Sequence, residues 1–203
     1  MLEYALLTFS SLFAIVDPFA AIPAFLAMTA RESAAQKRRT AATACLTCGA
    51  VMLVFAALGP TVFRLFGITL PAFQIAGGLI LLLASLDMIR AKRSPLQETA
   101  EETAEGIDKE DVAITPLAIP MLSGPGAITT AIVLAGQAAD WPHRLVFYAA
   151  IAGVAASSYA ILSASVSGAR KLSATALNII TRLMGLLLCA IGVQFILAAL
   201  KIG

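Results

Sequence analysis

Six mainly apolar stretches, each long enough to cross a bilayer, dominate this chain of 203 residues. They are Tyr4–Met28, Ala41–Phe63, Leu70–Ile89, Ala113–Gln137, Leu145–Gly168 and Asn178–Leu200. A spanning helix needs about 20 such residues. Barrel strands are about 10 residues long and alternate in polarity, which these runs do not. Composition agrees: 60% of residues are hydrophobic, 13% are charged, and the mean hydropathy is +0.90. So few charges cannot cover a water-soluble monomer. Disordered chains are poor in apolar residues. A net charge of +2 with no basic face argues against a nucleic-acid binder. The first run lacks a basic segment before it, so it reads as a retained helix, not a cleavable signal.

Charge clusters in Arg90–Val112, which holds 11 of the 26 charged residues. The segments Thr29–Thr40, Arg90–Val112 and Ala169–Leu177 share one side of a six-span chain and carry ten Lys and Arg. Arg64, Arg144 and Lys201 are on the other side. The positive-inside rule places the first group in the cytoplasm and both termini outside.

An offset of 107 superposes the halves without a gap. Asp17-Pro18-Phe19-Ala20 falls on Gly124-Pro125-Gly126-Ala127, and Gly78-Leu79 falls on Gly185-Leu186. Three spans per half force opposite orientations. The expected architecture is therefore an all-α membrane protein of six transmembrane helices in two inverted three-helix repeats. Residues 1–89 form the first repeat, 90–112 a charged cytoplasmic linker, and 113–203 the second repeat. Inverted repeats are common in secondary transporters.

The first span of each half is interrupted. Proline removes a backbone donor and clashes with the preceding turn. Non-helical backbone is expected around Asp17–Pro23 and Ser123–Ala127. Irregular backbone at membrane depth needs protein or a wet cavity around it. Half-helix N-termini suit a carboxylate, and freed carbonyls suit an ammonium. The candidate substrate-binding residues are Asp17, Pro18, Phe19, Ala20, Ala21, Ser123, Gly124, Pro125, Gly126, Ala127, Thr129 and Thr130. Asp17 is the one charge deep in a span, and such a residue marks function by default. Three roles are open for it: proton carrier, ammonium partner, or cap of the half-helix that Pro18 begins. Ser123, Thr129 and Thr130 either reach a substrate or bond back to their own helix. Asp87 and Arg182 form a candidate gating pair, with snorkelling as the alternative for Arg182.

Span five is rich in Ala, Gly and Ser, which predicts a central packing helix. Trp141 reads as an interfacial anchor in an outer loop, beside a His143 with no visible partner. Cys45 and Cys48 sit in an apolar run and read as small hydrophobes. No metal, cofactor or nucleotide site is expected.

Several strings resemble the MarC family of bacterial inner-membrane proteins. They are Leu12-Phe13-Ala14-Ile15-Val16-Asp17-Pro18 with Ile22-Pro23, Lys37-Arg38-Arg39, and Gly77-Gly78-Leu79-Ile80-Leu81-Leu82. Pro116-Leu117-Ala118-Ile119-Pro120, Gly124-Pro125-Gly126-Ala127-Ile128-Thr129-Thr130 and Arg182-Leu183-Met184-Gly185-Leu186-Leu187 complete the set. The resemblance covers nearly the whole chain. Relatives in that group are small neutral amino acid transporters. It implies six spans and secondary transport of a glycine- or alanine-like zwitterion, coupled to an ion or proton. The alternatives are a passive channel or exporter and, further off, a membrane-embedded enzyme. An enzyme is disfavoured because the lone His143 lies outside the spans and no second carboxylate matches the depth of Asp17.

Overall fold

A backbone surrounded by hydrocarbon must satisfy its own hydrogen bonds, and helices do this within one segment. The computed structural model describes residues 1–90, 112–138, 140–168 and 174–200. The helical segments are α1 Leu2–Val16, α2 Pro18–Met28, α3 Ala34–Phe66, α4 Leu70–Ile89, α5 Ala113–Leu122, α6 Pro125–Gln137, α7 Trp141–Gly168 and α8 Ala174–Ala199. No strand occurs among the described residues. Five stretches are long and apolar enough to cross a membrane: Leu2–Met28, Ala34–Gly59, Leu70–Ile89, Trp141–Gly168 and Asn178–Ala199. The α5–α6 pair bends by 63° and makes a sixth if it is one crossing. Most of the expected linker, 90–112, lies outside the described residues.

Four helices begin earlier than expected: α1 at Leu2, α3 at Ala34, α7 at Trp141 and α8 at Ala174. The loop read over Thr29–Thr40 ends at Ser33, where a capping box starts α3. Gln36 N donates to Ser33 Oγ at 3.4 Å, and Ser33 N donates to Gln36 Oε1 at 2.9 Å. Lys37, Arg38 and Arg39 therefore ride on the first turns of α3. At 33 residues this helix is about 50 Å long, well beyond the ~30 Å hydrocarbon core. Arg38 Nη2 donates to Ser167 Oγ at 3.1 Å, joining the start of α3 to the end of α7.

The α7 helix starts at Trp141, not Leu145. Asp140 Oδ1 accepts from His143 N at 2.9 Å and caps it. That backbone bond holds the Asp140 carboxyl below its ordinary range. The expectation of a partnerless His143 is corrected: Nδ1 also contacts Asp140, and the ring meets Tyr4 edge-on at 5.1 Å.

Packing is mostly between the first half of the chain and the second. The α4 helix lies along α8. The α3 helix packs on α5, α6 and α7, and α1 packs on α6, α7 and α8. Of the five single spans, Leu2–Met28 is the most enclosed, with 56% of its apolar window buried, against 33% for Trp141–Gly168. This corrects the expectation that span five is central. One face of α7 is buried through Phe147, Ala150, Ile151, Val154, Ser158 and Leu162. Ala149, Ala152, Ala156 and Ala160 face outward, where a methyl surface suits lipid, while Ala155 lies against Gly49 of α3.

Glycine sets the closest approach. A Cβ on Gly78 would sit 2.6 Å from the Gly192 carbonyl oxygen, and one on Gly192 would sit 2.9 Å from the Gly78 oxygen. The α4 and α8 backbones touch there, as small residues allow. Gly78→Leu is expected to lower stability by about 1–3 kcal/mol, because backbone cannot yield as a side chain does. Thermal unfolding in detergent checks this. Leu79→Ala, at a neighbouring outward-facing residue, should shift the midpoint far less.

Candidate functional site

Asp17 is where α1 stops and α2 starts. Pro18 supplies no N–H and suits the first helical position. Asp17 takes φ 38° and ψ 67°, the left-handed region, which Asp tolerates better than most residues. Its N–H still donates to Phe13 O at 3.1 Å, closing α1. Its Oδ1 accepts from Ala20 N at 3.3 Å, capping α2. Its Oδ2 is buried with no hydrogen-bond partner among the described residues, and the residue is 2% exposed. Asp17 thus uses one carboxylate oxygen as a cap and keeps the other. The break is a single residue. The expected non-helical run to Pro23 is corrected, since Pro18–Met28 is helical with Pro23 inside it. Pro23 removes the donor that a helix interior would supply to the Phe19 carbonyl.

The second break starts upstream of the expected Ser123–Ala127 and ends at Gly124, since Pro125–Ala127 is already helical. Thr115 (φ −131°, ψ 119°) and Ile119 (φ −130°, ψ 117°) are extended inside Ala113–Leu122. Each precedes a proline, whose ring pushes the preceding residue out of the helical region. Ser123 and Gly124 are non-helical, and α6 begins at Pro125 with no side-chain cap. Its first available N–H groups belong to Gly126 and Ala127. The Ser123 hydroxyl donates to Ala118 O at 2.6 Å, so it is engaged with backbone.

The breaks lie side by side. A Cβ on Gly126 would come within 2.8 Å of Ile15 Cδ1, two residues before Asp17. Pro18, Ala21, Gly124, Gly126, Ala127, Thr129 and Thr130 are buried, Phe19 and Ala20 are half-buried, and Pro125 is exposed. The Phe19 ring stands edge-on to Phe13, with centroids 6.2 Å apart. Thr129 turns its methyl toward Gly77. Thr130 Oγ1 is buried without a partner among the described residues.

Asp87 is half-buried, Arg182 is exposed, and no ion pair joins them. Cys45 and Cys48 are free thiols buried in α3. Two features escaped the sequence reading. One is a cavity of about 210 Å³ between Leu53 and Ala57 of α3, Ala135 at the end of α6, Ala138 just after it, and Arg144 and Phe147 of α7. The other is the set of buried, unbonded hydroxyls at Thr8, Ser11 and Ser158. A polar residue on the buried side of an apolar helix is their only sequence signal.

A helical bundle with apolar crossings and two proline-defined breaks is an integral, multi-pass membrane protein. The chain belongs to the MarC family: the model for MarC family integral membrane proteins matches residues 2–202. It is 35% identical over 193 residues to the UPF0056 membrane protein YhcE of Escherichia coli, covering 95% of this chain and 90% of that one. It is 37% identical over 201 residues to the UPF0056 membrane protein MJ1677 of Methanocaldococcus jannaschii, covering 98% and 97%. It is 33% identical over 202 residues to the UPF0056 membrane protein YvbG of Bacillus subtilis, covering 99% and 96%. No solved structure matches it.

Proposed function

We propose that the chain is a secondary transporter of small neutral amino acids of the glycine and alanine type, coupled to an ion or proton. It is a carrier and not an enzyme, and it works in the bacterial inner membrane. One observation carries the reading. Two half-helices start at Pro18 and Pro125, 107 residues apart, and Gly126 at the start of the second packs against Ile15, two residues before Asp17. One presents the uncapped N–H groups of Gly126 and Ala127, a site for a carboxylate. The other presents the free Asp17 oxygen, a partner for an ammonium. Ala20, Ala21, Gly126 and Ala127 leave room for little more than a methyl side chain.

In this proposal the chain crosses six times, as two inverted repeats over 1–89 and 113–203 joined by the cytoplasmic linker 90–112. The exchange of contacts between halves supports it, since α3 pairs with α7 and α4 with α8. The Arg38–Ser167 bond supports a shared side for Thr29–Thr40 and Ala169–Leu177. The basic count places that side in the cytoplasm, with both termini outside.

Purified protein in liposomes tests the proposal. Labelled glycine and alanine are expected to accumulate under an imposed proton gradient and leucine is not. Equal entry of all three, or none of glycine and alanine, contradicts it.

A further inference from the structure

The cavity between α3, α6 and α7 has a volume of about 210 Å³ and is walled by methyl-sized side chains: Ala56 and Ala57 of α3, Ala135 of α6 and Ala138 just after it. Protein interiors rarely leave voids larger than a water, and an apolar cavity of about 150 Å³ already has room for benzene. Four alanines meeting at one place explain the gap, since none reaches far enough to fill it. Phe147 and Ala56 are buried and form the floor, while Leu53, Ala57 and Tyr148 are exposed and stand at the mouth. The cavity therefore opens sideways, on the outside of the bundle, where a membrane protein meets lipid.

The α3 and α7 helices run antiparallel, since Arg38 bonds Ser167 and Gly49 faces Ile151 and Ala155. That register sets Ala57 level with Arg144 and Leu53 level with Tyr148. The mouth is thus one helical turn long, with a cation at one end. Trp141 and Tyr148, both exposed on the first two turns of α7, are amphipathic rings that settle at headgroup depth. Arg144 is exposed between them, with its charged head at that depth and its stem along the apolar wall. It makes no ion pair among the described residues. Asp140, one turn before it, gives its Oδ1 to His143 instead. Toward the membrane centre the seam between the two helices continues past Ala50 and Ala152, both exposed and both small. Ala152 is about 12 Å from Arg144 along α7.

We propose that this groove binds an anionic phospholipid from the leaflet that holds Trp141, with the phosphate on Arg144 and one acyl chain running from the cavity along the α3–α7 seam. The two ends of the groove ask for different chemistry, and such a lipid has both. A guanidinium fork matches two phosphate oxygens at once. The Tyr148 hydroxyl, one turn further along the same face, suits the ester oxygens next to the phosphate. The alanine walls and Phe147 offer a guest nothing polar, which suits methylenes. A chain that enters supplies partner atoms to a lining that otherwise lacks them on one side. Free phosphate would meet Arg144 but leave the cavity empty. A zwitterionic lipid would fill the cavity with less attraction at the arginine, because its own ammonium offsets the phosphate charge. The preference is therefore for a lipid of net negative charge. The groove is at the opposite end of α6 from the break at Gly124, and the lipid site stands or falls without the transport reading.

Trp141 is the single tryptophan of the chain and stands one turn from Arg144, so its fluorescence reads the site directly. The full protein is reconstituted in phosphatidylcholine vesicles with a rising fraction of lipid brominated near the ester end of its chains, either phosphatidylglycerol or phosphatidylcholine. Brominated phosphatidylglycerol is expected to quench Trp141 with an affinity about threefold higher or more, the preference that one partly exposed ion pair allows. Arg144→Gln should remove that preference. Ala57→Phe, which keeps the arginine and closes the mouth from an exposed position, should remove it too. Arg38→Gln, at the other end of the bundle, should leave it unchanged. Inorganic phosphate should not relieve the quenching. Equal quenching by the two brominated lipids, or a preference that survives Arg144→Gln, overturns the site. A preference that survives Ala57→Phe overturns it as well, because surface attraction to Arg144 then accounts for the whole effect. Loss of the preference in Arg38→Gln, or relief by phosphate, likewise contradicts a phospholipid held in this groove.

Discussion

Asp17→Asn is expected to give a folded, inserted protein that exchanges amino acids but no longer accumulates them. Asn is as good an N-cap as Asp and also tolerates the left-handed conformation. Its side-chain oxygen can still accept from Ala20 N, as Asp17 Oδ1 does at 3.3 Å. What disappears is an oxygen that can take up and release a proton. Gradient-driven accumulation of glycine should therefore fall at least tenfold, to the equilibrium level, while exchange at zero gradient persists. Asp17→Ala removes the cap as well and should lose about 1 kcal/mol of stability. Liposome accumulation and thermal unfolding measured together separate these effects. Undiminished accumulation by folded Asp17→Asn would place coupling elsewhere.

Gly126→Val is expected to stop transport while the fold survives. A new Cβ would meet Ile15 Cδ1 at 2.8 Å and Cγ1 at 3.0 Å, the outer atoms of a side chain that can turn. Overpacking of this kind costs about 1–3 kcal/mol, which a bundle this interlocked should withstand. The valine would also push Ile15 toward the first break and stand beside the N–H groups proposed to hold the carboxylate. Uptake of glycine should drop more than tenfold at normal levels of inserted protein. Adding Ile15→Ala restores space and should recover part of it. Wild-type uptake by Gly126→Val would mean that the substrate does not pass between the breaks.

Much of this was legible from Pro18 and Pro125. A proline that follows Asp or Gly fixes a helix start through its missing donor and preset φ; the cap at Asp17 was readable, while the non-helical runs expected to Pro23 and Ala127 are helical from Pro18 and Pro125. Pro23 misled because a proline inside a membrane helix is tolerated when neighbours support the backbone. The extended residues Thr115 and Ile119 were readable in principle, since each precedes a proline, but the Gly-Pro-Gly string drew attention downstream. The early start of α3 was also written, as Ser33-x-x-Gln36, but the adjoining basic residues suggested a loop. Thr8, Ser11 and Ser158 could not be distinguished from Ser10 or Ser157 by type. Their difference lies in which face of each helix turns inward, and tertiary packing decides that. The same holds for α7, whose small residues permit close packing on two faces although only one is used.

Counterflow tests the central claim most directly. Liposomes holding the purified protein are loaded with unlabelled alanine and diluted into a trace of labelled glycine with no ion gradient. A carrier with one site shared by both zwitterions predicts that internal label rises transiently above the external concentration and then decays. Label that climbs only to equilibrium, or does not enter, contradicts the account.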